Sequence, residues 1–105
     1  MVKISILYPN KGTFDMEYYL NTHMPRSIAL LSAGKGYCSV SVEHGLGGAA
    51  PGSAPAFVAL CHYVFDTADN FMAAFMPHAA ELQGDMPNYT DIEPVIQISG
   101  VAIMR

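Results

Sequence analysis

The chain has 105 residues, of which 51% are hydrophobic and 13% charged, and its formal net charge is −4. This length fits one globular domain over residues 1–105 and leaves no room for a second. Nucleic acid is excluded as a partner, because its binding needs clustered basic residues and the five here are scattered along the chain. No apolar run approaches the roughly 20 residues that cross a membrane. The high apolar content predicts that some surface is hidden, either in a large pocket or against a second copy of the chain.

The two cysteines, Cys38 and Cys61, lack the CxxC spacing of redox and zinc motifs. The simpler interpretation is that both cysteines are reduced and pack as small hydrophobic side chains. The first predicted strand starts at Val2, so a signal peptide has no room ahead of it. Both observations predict a cytoplasmic protein.

A predicted strand and helix open the chain. Val2–Tyr8 alternates in the manner of a half-buried strand. Thr13 has the side-chain hydroxyl that is preferred at a helix N-cap, and the helix that it begins should run to about Thr22 or His23. Pro25 disfavours the helical conformation at Met24, so we expect a break near His23. A short second helix should follow, through Leu31.

Three further strands and another helix follow. The predicted elements are a strand at Tyr37–His44, a loop at Gly45–Pro55, a strand at Ala56–Phe65, a helix capped by Thr67 and interrupted at Pro77, and a last strand at Glu93–Met104. The third strand is apolar on both faces, which places it inside its sheet. The order is that of a ferredoxin-like βαββαβ fold, an α+β fold in which two helices cover one face of an antiparallel sheet.

The other face of the sheet is predicted to be open. Its expected members are Ser5, Leu7, Ser39, Ser41, Leu60, His62, Gln97 and Ser99. This mixture is too apolar for water and too polar for a dry core. Stacking a second copy's sheet against it would gain roughly 25 cal/mol per Å² of apolar surface buried. The pattern predicts a homodimer through the sheet faces, with Ser41, His62 and Gln97 lining the space between them.

The segment Phe14–Pro25 concentrates the groups that could perform chemistry. Asp15, Tyr19 and His23 are spaced four residues apart, so on a helix they share one face, with Tyr18 beside them. His23 is the candidate general acid/base, because the reference pKa of histidine is about 6.5. Tyr19 is the candidate hydrogen-bond donor. Structural alternatives stay open: the imidazole could merely bond the last carbonyls of the helix, and Asp15 could merely complement the helix dipole.

The remaining candidates extend this site. Tyr8 ends the first strand near the start of the helix, so it joins Asp15 and Tyr18 as an expected substrate-binding residue. No two histidines have the i,i+4 spacing of a helical zinc site, and no GxGxxG or P-loop motif is present. We therefore expect no metal and no cofactor, although haem held by a histidine is left open.

Four motifs resemble the EthD family, which is named for a protein of ethyl tert-butyl ether degradation. They are Tyr8-Pro9, Phe14-Asp15, Tyr18-Tyr19 and His23-Met24-Pro25. The resemblance extends over nearly the whole chain and implies the dimeric α+β barrel group. Relatives in that group include muconolactone isomerases, polyketide cyclases, cofactor-free monooxygenases and haem-degrading enzymes. EthD-like proteins occur beside oxidative degradation systems, which implies an oxidoreductase-associated, catabolic role.

Two functional hypotheses result. The first is a small cofactor-independent catabolic enzyme that acts on an apolar, oxygenated small molecule by proton transfer, isomerisation or assistance to an oxidation. The second is a non-catalytic ligand-binding protein or an accessory partner of an oxygenase system.

Overall fold

The computed structural model describes all 105 residues as four strands and two helical regions. The strands are β1 (Val2–Pro9), β2 (Tyr37–His44), β3 (Phe57–Phe65) and β4 (Val95–Gly100). The first helical region consists of α1 (Met16–Tyr18), a π-helical turn (Tyr19–His23) and α2 (Met24–Leu31). The second consists of α3 (Ala68–Phe75), a 3-10 turn (Met76–His78), α4 (Ala79–Gly84) and another 3-10 turn (Met86–Asn88). None of these helices has both the length and the apolar character to span a bilayer.

The four strands form one antiparallel sheet in the order β2-β3-β1-β4. The first helical region connects β1 to β2 and the second connects β3 to β4, in each case across one intervening strand, which confirms the ferredoxin-like α+β fold. β1 and β3 are the central strands, as the two apolar faces of β3 predicted. In the register of the sheet, Ile4 lies opposite Tyr63 of β3 and opposite Ile98 of β4.

The core lies between the sheet and the helices. Alternate residues of the central strands supply one side of it: Ile4, Tyr8, Ala59, Cys61, Tyr63 and Phe65. The helices supply the other side, with Tyr19, Met24, Leu31, Phe71 and Leu82. The β4 edge is poorly covered, because Ile96 and Ile98 are 59% and 46% exposed. The gap between this edge and the helices contains the cavity described below.

The start of the first helical region differs from the prediction. Asp15 is the N-cap, and its carboxylate accepts a hydrogen bond of 3.0 Å from the backbone N–H of Tyr18. The expected cap, Thr13, instead donates its backbone N–H to the side chain of Asp91 at 2.7 Å. A carboxylate caps a helix as well as a hydroxyl does, so the helix begins two residues later than expected.

The predicted break at His23 is wrong. The backbone of His23 is helical, with φ −68° and ψ −55°. The N–H of Met24 bonds to the carbonyl of Tyr19, five residues back, which is the hydrogen bond of a π-helix. Pro25 then lies in the first turn of α2, where its missing N–H costs little. The helix therefore continues through this turn by changing from i→i−4 to i→i−5 hydrogen bonds.

The later elements follow the prediction except at the last strand. Thr67 caps α3 by accepting from the N–H of Asn70 at 3.1 Å, and residues 45–55 form an exposed loop without regular structure. The last strand is Val95–Gly100 rather than Glu93–Met104; Gly100 lies opposite Val2, and one further backbone bond joins the N–H of Val101 to the carbonyl of Met1 at 3.0 Å.

The helix-free face of the sheet carries the expected mixed residues. Ser5 lies opposite His62 on one side and Gln97 on the other. The Oγ of Ser5 is 2.9 Å from Nδ1 of His62, and Nε2 of His62 is 3.2 Å from Oε1 of Glu43. Gln97 donates to Ser99 at 3.0 Å. Ser5, His62 and Glu43 therefore contact one another across three strands, β1, β3 and β2. Gln97 and Ser99 pair within β4.

Candidate active site

A cavity of about 320 Å³ lies between the β1–β4 side of the sheet and the helices. Its apolar walls are formed by Ile6, Phe75, Leu82, Met86, Pro94 and Ile96. Four polar side chains line it from within the protein: Tyr8, His23, Ser27 and Tyr89. Exposed Gln83 and Glu93 lie at its mouth. The volume and the apolar lining with a few convergent polar groups are typical of small-molecule sites.

His23 presents its two ring nitrogens to different surroundings. Nδ1 lies 2.9 Å from Oδ2 of Asp85. Nε2 lies 3.4 Å from the hydroxyl oxygen of Tyr89, another residue of the cavity wall. An ionised carboxylate can only accept, so Nδ1–H donates to Asp85 and the neutral imidazole keeps a lone pair on Nε2. The basic nitrogen is therefore on the cavity side.

Asp85 is held by three donors. Oδ1 accepts from the hydroxyl of Tyr18 at 2.7 Å and from the amide of Asn88 at 2.9 Å, while Oδ2 faces His23. Burial opposes ionisation of this carboxyl, but the three hydrogen bonds outweigh it and hold the pKa of Asp85 below its usual value. The carboxylate is consequently charged at neutral pH and stabilises an imidazolium when one forms.

Tyr89 connects the imidazole to Tyr8. The two tyrosine oxygens are 2.7 Å apart, and both rings are buried. Burial raises the pKa of Tyr8, and burial together with the neighbouring Tyr8 raises the pKa of Tyr89. Both hydroxyls therefore stay protonated and act as neutral donors. If Tyr8 donates to Tyr89, the Tyr89 proton points at His23 or at a ligand in the cavity.

A second, more open cleft of about 540 Å³ lies on the outer side of His23 and Asp85. Tyr18 and Asn88 line it, as does Arg26, which is paired with Glu81 at 2.7 and 3.1 Å. His23 borders both spaces, so the imidazole separates a solvent-facing cleft from the apolar cavity.

The structure brings some of the predicted site residues to the cavity. His23 and Tyr8 line it, and Tyr18 reaches Asp85 from the outer cleft. Tyr19 is 1% exposed and stacks on the imidazole, with ring centroids 5.8 Å apart and an interplanar angle of 14°. Asp15 serves as the helix cap. Tyr19 therefore packs against the imidazole from the core side, and Asp15 stabilises the start of α1.

The other predicted residues lie on the opposite face of the sheet. Ser41 lies opposite His62 in the β2–β3 register, and Gln97 lies on the same face two strands beyond His62, on the other side of Ser5. The sheet separates this group from His23. The predicted residues therefore form two groups rather than one site.

Sequence reasoning missed Asp85, Asn88 and Tyr89. The sequence patterns gave these three residues no role. A signal was available, because Asp85-Met86-Pro87, like His23-Met24-Pro25, is a polar residue followed by Met-Pro in a helical region. No group of three His, Cys, Asp or Glu side chains is placed to hold a metal ion.

Comparisons with known proteins agree with this architecture. The EthD domain family matches residues 13–93. The crystal structure of an EthD-like protein from Ralstonia eutropha JMP134 is 46% identical over 99% of this chain and 94% of that one, with a TM-score of 0.90. Among curated proteins, none is significantly similar.

Two more distant structures share the fold. An ethyl tert-butyl ether degradation (EthD) family protein from Bacillus halodurans C-125 is 19% identical, with 96% and 98% of the two chains covered and a TM-score of 0.66. A "putative monooxygenase" from Shewanella loihica PV-4 is 10% identical, with 98% and 95% covered and a TM-score of 0.64. The family match spans most of the chain and the Ralstonia protein is similar throughout, so this protein belongs to the EthD family.

Proposed function

We propose that the protein is an enzyme that binds a small, largely apolar, oxygen-bearing molecule in the 320 Å³ cavity and catalyses a proton transfer on it. The observation that carries the proposal is the placement of His23. One nitrogen of its imidazole is engaged by the carboxylate of Asp85, and the other faces the cavity beside the hydroxyl of Tyr89. This pairing orients a histidine for acid/base chemistry.

The residues fit an isomerisation. Nε2 of His23 accepts a proton from a carbon next to a carbonyl group, and Asp85 stabilises the resulting imidazolium. The carbonyl oxygen, on which negative charge develops, accepts a hydrogen bond from the hydroxyl of Tyr89. The hydroxyl of Tyr8 is hydrogen-bonded to that of Tyr89 and holds it in place. The imidazolium then returns the proton to another carbon of the same molecule. The proton count balances, and the step needs neither metal nor redox partner.

The test uses deuterium exchange. One- and two-ring cyclic ketones and phenols are incubated with the protein in D₂O, and loss of their C–H signals is followed by NMR. His23→Ala should slow the protein-dependent exchange about 10²–10⁴-fold, whereas His44→Ala, which changes an exposed histidine away from the cavity, should not. Equal exchange by His23→Ala and wild type would overturn the proposal. Binding in the cavity with no exchange by wild type would assign the protein to the competing class of accessory ligand-binding proteins.

A homodimer through the helix-free sheet face also remains our proposal. Its support is the mixed surface around Leu7 and Leu60, which lie opposite each other in the β1–β3 register, and the self-satisfied polar group around His62. Partly exposed apolar side chains surrounded by polar ones are characteristic of an interaction surface. The cytoplasm is the proposed location, supported by the free thiols of Cys38 and Cys61.

A further inference from the structure

Ser27 and Tyr63 form a second polar pair at the cavity. Ser27 lies on α2 and lines the cavity, whereas Tyr63 rises from β3 beneath it. Their hydroxyl oxygens are 2.7 Å apart, and the two residues are only 5% and 1% exposed. This pair is separate from the chain of hydrogen bonds that runs from Tyr8 to Asp85.

The two hydroxyls carry two protons, and their mutual hydrogen bond uses one. Burial raises the pKa of Tyr63, so its hydroxyl stays protonated and can donate to Ser27. In that arrangement the proton of Ser27 has no partner within the protein and is available on the cavity side. A buried hydroxyl proton without a partner is costly, whereas a ligand oxygen would satisfy it.

Ser27 stands four residues after His23, so the two side chains share one helix face about 6 Å apart along the axis. The cavity consequently offers two polar positions one helical turn apart, with apolar walls around them. No cationic side chain lines it, since Arg26 lies in the outer cleft and is paired with Glu81. The only carboxylate in its lining is that of Glu93, at the exposed mouth.

We propose that Ser27, backed by Tyr63, binds a second oxygen of the substrate and so selects neutral ring compounds with oxygens on opposite sides of the ring. The oxygens of a 1,4-disubstituted benzene ring are separated by a distance close to one helical turn. This inference rests on the proposed function, because it places the first oxygen beside His23 and Tyr89.

The experiment compares hydroquinone with 4-methylphenol by NMR titration of the labelled protein. The two probes have the same shape, and one hydroxyl of the first is a methyl group in the second. In an apolar wall the methyl group binds better, but a partnered hydroxyl reverses the order. We expect hydroquinone to bind wild type about five-fold more tightly, the value of one hydrogen bond.

Ser27→Ala should reverse the preference, and Ser27→Thr, which keeps the hydroxyl, should preserve it. Ser32→Ala serves as the control, because Ser32 is exposed at the end of the same helix. If wild type prefers 4-methylphenol, or if Ser27→Ala keeps the preference for hydroquinone, the second oxygen site is refuted while His23-dependent exchange still stands. If neither probe shifts the signals of cavity residues, the cavity itself is refuted as the binding site, and the proposed function fails with it.

Discussion

Asp85 holds the imidazole of His23 at 2.9 Å across 62 positions of sequence. His23 belongs to the first strand–helix–strand half of the fold and Asp85 to the second. The carboxylate is itself fixed by Tyr18 from the first half and Asn88 from the second. The protonation site of the imidazole therefore depends on both halves packing correctly, so substitutions distant from His23 in sequence should alter its chemistry.

Asp85→Asn should show how stability depends on pH. The pKa of Asp85 is lower in the folded protein than its usual value of about 4, so its ionised form stabilises the fold above that pH. This stabilisation is lost as pH falls through the folded-state pKa. Chemical denaturation of wild type and Asp85→Asn should therefore give free energies of unfolding that differ at pH 7 and converge in acid. A difference that stays constant with pH would contradict the ionised carboxylate.

Tyr89→Phe should weaken catalysis more than Tyr19→Phe. The first removes the hydroxyl beside Nε2 of His23 and should slow exchange about 10²-fold, the usual effect of losing an oxyanion donor. The second keeps the ring that stacks on the imidazole and removes a hydroxyl that does not line the cavity. Exchange rates of the two variants under saturating ligand provide the measurement. A larger loss in Tyr19→Phe would make Tyr19 the donor, as its spacing in the sequence suggested.

Leu60→Glu should dissociate the proposed dimer. Leu60 lies in β3 on the helix-free face, opposite Leu7 and Glu43, so a new carboxylate there would be buried beside another acid in the interface. Sedimentation at micromolar concentration should give about twice the chain mass for wild type and the monomer mass for the variant. Leu46→Glu, in the exposed loop, is the matched control and should remain dimeric. A monomeric wild type would refute sheet stacking.

The protein should lose stability in alkali. Burial raises the pKa of Tyr8, Tyr19, Tyr63 and Tyr89 above the usual value of about 10. Since the folded state holds these protons more tightly, their contribution is fully present below pH 10 and is lost as pH rises above it. Phenolate absorbance of these rings should appear together with the loss of circular dichroism. Gradual titration with the fold intact would show that the rings are accessible.

The fold was predictable because its signals are local. Alternation identified the strands, the two apolar faces of β3 placed it inside the sheet, and a hydroxyl marked Thr67 as a helix cap. His23 was identified from spacing within one helix. Asp85 was not, because spacing rules relate residues of one element, whereas this partner comes from a different half of the chain. The prediction at Pro25 failed because it allowed only helix or break, and the protein uses a third hydrogen-bond pattern.

That third pattern determines where the helix can lose a residue without reorienting the site. The π-helical turn at Tyr19–His23 accommodates one residue more than an α-helical turn does. Deleting exposed Asn21 should convert the bond from the N–H of Met24 to the carbonyl of Tyr19 into the i→i−4 bond of an α-helix and leave His23 and Ser27 directed at the cavity. Deleting exposed Arg26, in the regular helix that follows, would instead rotate Ser27 by about 100° relative to His23. The helix therefore tolerates the loss of a residue at the π-helical turn better than at the regular turn beyond it.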